Sequence, residues 1–428
     1  MAAIHDAESP PDNTSNDDYP YNLYGFRGRR TTMKNAPWRA NPLDYVIGPT
    51  DRDDFFANYH EAKALIVRRD EPNRYKDLLS IARIDEILAS IDLDGSQVDM
   101  ARAEPPVHRD QFLFDGGGAD RGAISDLYRD GATLILPQLH QLDGKLKDFC
   151  RSLEQVLSCH VQTNIYLTPP NSQGFRTHYD DHDVFVLQIE GEKHWRLYNT
   201  PIENPYRGEG FQSGAHEIGD PVESFVLKAG ECAYVPRGLV HDASTAGEGD
   251  SLHITCGLIV KTWADLMLEA VSEVALEHPG FRRSLPPGFA RDDFDRTKAA
   301  AHFKELVGVL GKKLELDSAM DLFTDTFIRS RQPDSAGAIL RRAAPMTAGT
   351  KFRIRPLTPW RLAENEEKEA LVLITAGGEL TFKQAAEPAI QDMLDGKVIS
   401  LESFSMLEGD EAQESLNKLY AFGVIEPA

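Results

Sequence analysis

The sequence predicts an α+β protein built on a double-stranded β-helix, and three observations predict it. Between residues 160 and 260 short runs rich in Val, Ile, Tyr and Phe are punctuated by Gly, Pro and Asn, the pattern of a sandwich or barrel of short strands. Within that window "LKAGECAYVPRGLVH" reads as strand, Gly turn, strand and Pro-Arg-Gly turn, the local order of a jelly roll made of two stacked Greek keys. Past Lys261 the strand pattern stops and "WADLMLEAVSEVALEH" places Leu266, Ala270, Val271 and Val274 on one helical face.

Taken in order, residues 1–38 are rich in Asp, Asn, Ser and Pro and end in a basic cluster, so they are expected to form a flexible tail. The catalytic unit is expected over 39–260. It opens with a short helix, a strand at Ala64–Val67 and a helix that starts near Ser80, then a helix, a strand at Thr133–Leu136 and a long amphipathic helix, before the strand-rich window. Residues 261–350, with further helices around Phe303–Leu314 and Met320–Ile328, are expected to cap the barrel or to form a dimer interface. Residues 351–428 have the outline of a winged helix, read as helix, helix and β-wing.

Composition narrows the function. A chain of 428 residues can hold two or three domains. Lys+Arg 46 against Asp+Glu 68 gives a formal charge of −22, which opposes general binding to nucleic acid or anionic membrane and favours a basic partner. The winged-helix outline would suit DNA, but Glu364, Glu367, Asp392, Asp395, Glu408 and Asp410 line it and would repel phosphates. No apolar run approaches the roughly 20 residues of a membrane span, and the first residues lack a basic and apolar leader, so a cytoplasmic protein is expected. Cys150, Cys159, Cys232 and Cys256 show no CxxC spacing and read as buried thiols.

The chemistry gathers in "THYDDHDVF". On a strand, residues two apart share a face, so His178 and Asp180 can reach one ion while Tyr179 and Asp181 turn away. His241, just after the Pro-Arg-Gly turn in "YVPRGLVHDAS", supplies a third ligand. Two imidazoles and one carboxylate form the facial triad of non-haem Fe(II) oxygenases, with positions left for a chelating cosubstrate and O₂, although zinc also fits such donors. His182 is a rival ligand, being two residues beyond Asp180. Lys193 in "GEKHW", if it faces the barrel interior, calls for an anion; a dicarboxylate with one end on the metal satisfies both. Asn164 and Tyr166 in "QTNIYLTPP" share one face and can hydrogen-bond that cosubstrate, and His253 in "SLHITCG" is a further inward candidate. The plain alternatives are strand polar residues for the first two and a backbone-bonded core histidine for the third.

The stretches "GFRTHYDDHDVFVLQIEGEKHWRLYN", "LKAGECAYVPRGLVHDA" and "TNIYLTPPNSQG" resemble the JmjC-type ribosomal oxygenases of the cupin superfamily. The order of parts, a JmjC barrel, a helical dimerisation domain and a winged helix, resembles that family over residues 40–428. The resemblance implies Fe(II) on His178, Asp180 and His241, 2-oxoglutarate on Lys193, Asn164 and Tyr166, and His253 as another active-site histidine. It implies hydroxylation by O₂ at the β-carbon of a histidine or arginine in a ribosomal protein, with decarboxylation of 2-oxoglutarate to succinate, and a homodimer. An acidic enzyme suits such basic substrates. A peptide or small-molecule substrate, or a metal-binding scaffold without activity, are the other expectations. Arg176-Thr177 stands before His178 where members of that family commonly carry proline.

Overall fold

The computed structural model describes residues 36–428 except 246, 338–345, 347–348 and 366–369. Residues 1–35, and with them most of the expected tail, lie outside the described residues. Its last part is packed. Trp38 is buried and meets Phe149 edge to face with ring centroids 5.7 Å apart, because an indole contributes a large apolar area that solvent would penalise.

The first part of the chain gives α1 (Pro37–Ala40), α2 (Pro42–Ile47), α3 (Arg52–Asn58), β1 (Leu65–Val67) and α4 (Ile81–Ser90). Ser80 is the N-cap of α4, its hydroxyl accepting from the Arg83 amide, which supplies a partner for one orphan N–H of the first turn. Then follow β2 (Asp99–Ala101), α5 (Arg121–Arg129), β3 (Thr133–Leu136) and α6 (Gly144–Leu157). The jelly roll proper is β4 (His160–Thr168), β5 (Asp183–Glu190), β6 (Glu192–Leu197), β7 (Glu223–Lys228), β8 (Cys232–Val235), β9 (His241–Ser244) and β10 (Ser251–Ile259). They form two antiparallel sheets, one of seven strands in the order β1-β8-β5-β10-β4-β3-β2 and one of three in the order β7-β6-β9.

The large sheet is covered on both faces, and strand alternation sorts its side chains. Val161, Ile165, Leu167, Phe185, Leu187, Leu252, Ile254 and Cys256 point outward into a core shared with α2 and α6. Val184, Val186, Ala233 and Val235 point inward and meet Trp195, Leu197, Phe225 and Leu227 of the small sheet. That inner cluster fills one part of the barrel and leaves Asn164, Tyr166, Thr168, His253 and Thr255, which share the inward parity, to line the rest. The four cysteines are buried free thiols, as their scattered spacing suggests.

After the barrel come α7 (Trp263–Glu277), α8 (Thr297–Lys313) and α9 (Leu316–Arg329). Leu266 and Ala270 of α7 pack on Ala319 of α9. The last part holds β11 (Phe352–Ile354), β12 (Trp360–Asn365), β13 (Ala370–Thr375), β14 (Gly378–Lys383), α10 (Glu387–Leu394), α11 (Glu411–Ala421) and β15 (Ile425–Pro427) around a core of its own. Its order differs from the helix, helix, wing read from the sequence. A three-stranded β12-β13-β14 meander comes before the two helices, and β15 returns to pair with β11. "EALVLITAGGELTF" alternates strongly enough to make two strands joined at Ala376-Gly377, a hairpin that the helix, helix, wing outline does not include. Among the described residues no helix is long and apolar enough to cross a membrane.

Candidate metal centre and anion pocket

His178 and Asp180 do not sit on a strand. They lie in the connection between β4 and β5, where His178 forms a single-residue bridge with His241, the first residue of β9. The bridge is two mutual backbone bonds, His178 N–H to His241 O at 3.0 Å and His241 N–H to His178 O at 2.7 Å. The same two segments meet twice more. Gly238 N–H donates to Asp180 O at 3.0 Å, and Arg237 donates to Asp183 through its backbone N–H at 2.9 Å and its Nη1 at 2.8 Å. Gly238 takes a positive φ of 82° and would bring a Cβ within 2.1 Å of Ile202 O, so the Pro-Arg-Gly turn requires glycine there.

This explains the crowd of acidic residues in "HYDDHD". Asp180 faces the two histidines. Asp181 accepts from Gly208 N–H at 2.6 Å and lies 3.0 Å from His182 Nδ1, holding the long β6–β7 connection. Asp183, fully buried, pins the turn through Arg237, which also pairs with Glu61 at 2.6 Å. His60, Glu61 and Asp183 form a second cluster of ligand type, but the Arg237 guanidinium already neutralises it. His182 is turned away from the triad; its ring lies on Gly257 of β10, where a Cβ would come within 2.7 Å of it.

One ligand atom each of His178, Asp180 and His241 lie within 4.8 Å of one another. His178 Nε2 is 4.0 Å from Asp180 Oδ1, and His241 Nε2 is 3.9 Å from Asp180 Oδ2. Each imidazole is oriented through its other nitrogen. His178 Nδ1 lies 2.8 Å from Arg176 O and His241 Nδ1 lies 3.0 Å from Leu239 O. A carbonyl can only accept, so each Nδ1 carries the hydrogen and each Nε2 keeps a free lone pair toward Asp180. Burial, followed by the neighbouring His178, lowers the pKa of His241 and keeps it neutral, the form a metal requires. These donors fit a divalent cation of the iron type.

Beside the triad lies a buried amine. Lys193 on β6 is 5% exposed, and its Nζ donates to Thr168 Oγ1 at 2.9 Å. No carboxylate pairs with it among the described residues, and burial brings its pKa down to about 7. His253 is paired in register with Tyr166 on β4, and their rings stack with centroids 4.9 Å apart. Its Nδ1 is buried with no hydrogen-bond partner among the described residues, as is Nε1 of Trp195. Burial, then the Lys193 charge, holds the His253 pKa well below its usual value. A buried amine without a counter-ion and two unsatisfied ring nitrogens fit an oxygen-rich anion, because each costs free energy until such a partner arrives. Asn164 shares the inward face with Tyr166, and its Oδ1 accepts from Gln138 N–H at 3.2 Å. Burial, then the Asp180 charge, keeps that phenol protonated.

Sequence reasoning omitted Thr168, Trp195 and Phe175. The first two were accessible by parity, Thr168 from Tyr166 and Trp195 from Lys193. Phe175, 5.6 Å from the His178 ring and 5.9 Å from that of Tyr166, lies in a connection whose course no periodicity foretells. A separate cavity of about 940 Å³, lined by His160, Ile259, Trp263, Phe327 and Trp360, opens at the far ends of β4 and β10 and shares no residue with the triad.

Residues 135–266 match the family model of the JmjC domain. The bifunctional lysine-specific demethylase and histidyl-hydroxylase NO66 of Aedes aegypti is 34% identical over 312 residues, 68% of this chain and 48% of that one. Ribosomal oxygenase 1 of Bos taurus is 33% identical over 312 residues, 69% of this chain and 46% of that one. The chain thus spans about half the length of the curated relatives it matches. Among solved structures, the ribosomal oxygenase YcfD of Escherichia coli superposes with a TM-score of 0.51 at 13% identity, over 89% of this chain and 98% of that one. The same protein in complex with cobalt and 2-oxoglutarate gives a TM-score of 0.51 at 13% identity over 88% and 98%. Those two likenesses speak for the fold, and the family match shows that residues 135–266 of this chain form a JmjC domain.

Proposed function

We propose that the protein is an Fe(II)- and 2-oxoglutarate-dependent dioxygenase that hydroxylates a side chain of a protein substrate, the β-carbon of a histidine or arginine in a ribosomal protein. One observation carries the reading: an imidazole, imidazole, carboxylate triad lies one ring away, through Trp195 at 5.8 Å from His241 and 5.9 Å from His253, from a buried lysine that has no counter-ion among the described residues. In this reading His178, Asp180 and His241 hold Fe(II), and Lys193, Asn164, Tyr166 and His253 bind 2-oxoglutarate. The bound iron supplies activation of O₂. The overall change is 2-oxoglutarate plus O₂ plus R–H to succinate, CO₂ and R–OH.

The chain's own residues bind, orient and exclude. Lys193 and Thr168 receive a carboxylate away from the metal, Tyr166 and His253 wall the cavity against water, and Asp180 and the two Nε2 atoms present three donors on one side. The names of the relatives, a histidyl-hydroxylase and a ribosomal oxygenase, and the net charge of −22 support a basic protein substrate and disfavour direct nucleic-acid binding. We further propose a cytoplasmic homodimer divided into a barrel at 39–260, a dimerisation segment at 261–350 and a winged-helix-like part at 351–428. Trp263, Leu268 and Leu276 of α7 and Phe303 of α8 are exposed large apolar side chains, the kind of surface that a second copy would cover.

The test is anaerobic loading with Fe(II), addition of 2-oxoglutarate and O₂, and measurement of succinate with and without ribosomal proteins read by mass spectrometry. A single added oxygen on one histidine or arginine, matched by succinate, is the expected result. Succinate without a modified protein would move the substrate to peptides or small molecules, and no succinate would leave a metal-binding scaffold. For the dimer, Leu268→Asp is expected to halve the mass seen by light scattering.

A further inference from the structure

We infer that Asp242 is a positioning residue that fixes the angle between the two histidine ligands, an inference that rests on the reading of His178, Asp180 and His241 as a metal site. Asp242 follows His241 on β9, so its side chain leaves the opposite face of the strand. The residue is 2% exposed, yet its carboxylate accepts three hydrogen bonds. Thr177 Oγ1 donates at 2.9 Å and Tyr198 Oη at 2.7 Å to one oxygen, and Arg196 Nε donates at 2.7 Å to the other. Thr177 immediately precedes His178. Arg196 lies on β6, opposite Asp242 in register, and belongs to the strand that carries Lys193.

One buried carboxylate therefore ties together the three segments that bear His178, His241 and Lys193. The need for it follows from the backbone. The His178–His241 bridge is a single rung, and the other ties between its two segments, Gly238 N–H to Asp180 O and Arg237 to Asp183, lie on its Asp180 side, so the Thr177 side is free to twist as far as the next backbone tie, Thr245 N–H to Ser172 O at 2.9 Å. The Thr177–Asp242 bond lies next to that rung, on the side chains that point away from the ion, and removes the twist. The bonds from Arg196 and Tyr198 then fix the pair to the small sheet. Metal ligands must be held to within about 0.5 Å of their working geometry, which ties on the Asp180 side of the rung do not by themselves guarantee.

The experiment titrates Co(II) anaerobically into the full-length wild type, Thr177→Val, Asp242→Asn, the double variant and His178→Ala, following visible absorption of the bound ion and the melting temperature of the metal-free protein. Each single variant is expected to weaken Co(II) binding about tenfold or more and to alter the absorption bands. The double variant is expected to be no weaker than the weaker of the two single variants, because both changes act on the same contact. Thr177→Val, which only exchanges a hydroxyl for a methyl, keeps the test open if Asp242→Asn does not fold. Wild-type affinity and bands in the folded single variants, or lower melting temperatures with unchanged metal binding, would overturn the role of Asp242 and leave the metal site standing. If the wild type binds Co(II) no better than His178→Ala, the metal site fails and the inference falls with it.

Discussion

Replacing Lys193 with methionine, which is similar in length and carries no charge, separates the cost of the buried amine from its use. Lys193 is buried, donates only to Thr168 among the described residues, and has its pKa brought from 10.5 to about 7 by burial. Because the folded pKa lies below the unfolded one, the unfolded chain takes up the proton first as pH falls. Stability is therefore lost between pH 10.5 and about 7 and changes no further below that. At pH 7.5 the unfolded amine is charged across about three pH units over which the folded one resists, a deficit on the order of 4 kcal/mol. The lost bond to Thr168 offsets about 1 kcal/mol of it. Lys193→Met is thus expected to stabilise the metal-free, ligand-free protein by roughly 3 kcal/mol at pH 7.5 and by clearly less at pH 9.5, read by urea unfolding. Binding reverses the sign. A dicarboxylate beside the amine raises its pKa, so 2-oxoglutarate is taken up together with a proton above pH 7 and its affinity falls by up to about tenfold per pH unit there. Titration calorimetry in buffers of different ionisation enthalpy measures both quantities. A wild-type affinity that stays flat from pH 6 to 9, or a methionine variant less stable than wild type at pH 7.5, would refute the reasoning.

Three further outcomes are expected. His178→Ala or Asp180→Ala abolishes succinate formation while circular dichroism stays that of the wild type; turnover surviving in both would remove the triad. Arg237→Ala strips Asp183 and Glu61 of their shared cation and is expected to cost about 3–5 kcal/mol in urea unfolding, whereas a loss below about 1 kcal/mol would mean that the pair does not pin the turn. Gly257→Ala drives a methyl into the His182 ring and is expected to cost about 1–3 kcal/mol, with His182→Ala in the same chain restoring most of it; absence of rescue would place the strain elsewhere.

Much of the site was legible because strand parity is a local rule. Asn164 and Tyr166 share a face since they are two apart, and the alternation of "VQTNIYL" tells which face is apolar. Lys193 calls for an anion only on the condition that it faces inward, and the structure buries it. Parity also separated His178 and Asp180 from their neighbours, although the rule applied by accident there, since that pair sits beside β9 on one bridge instead of in a strand. What escaped were features made by distant partners. Asp183 with Arg237, and Asp242 with Thr177, Arg196 and Tyr198, depend on which turn folds over which strand, and no spacing encodes that. The packing of His182 on Gly257 is of the same kind. In the last part of the chain the outline of helix, helix and β-wing leaves out the β12-β13-β14 meander before the helices and the return of β15 to β11 across them, a pairing that no spacing encodes.

The bridge between His178 and His241 has a consequence for how the protein would live with scarce metal. Residues 179–240 form a loop whose ends are already tied by backbone bonds and by the Arg237–Asp183 pair. The entropy of closing that loop is charged to the fold and not to the ion, in contrast to small zinc modules that collapse only when metal arrives. An emptied site would therefore keep its barrel, and occupancy could rise and fall many times over the lifetime of one molecule. Activity in such a protein follows the supply of metal ions, while its abundance does not.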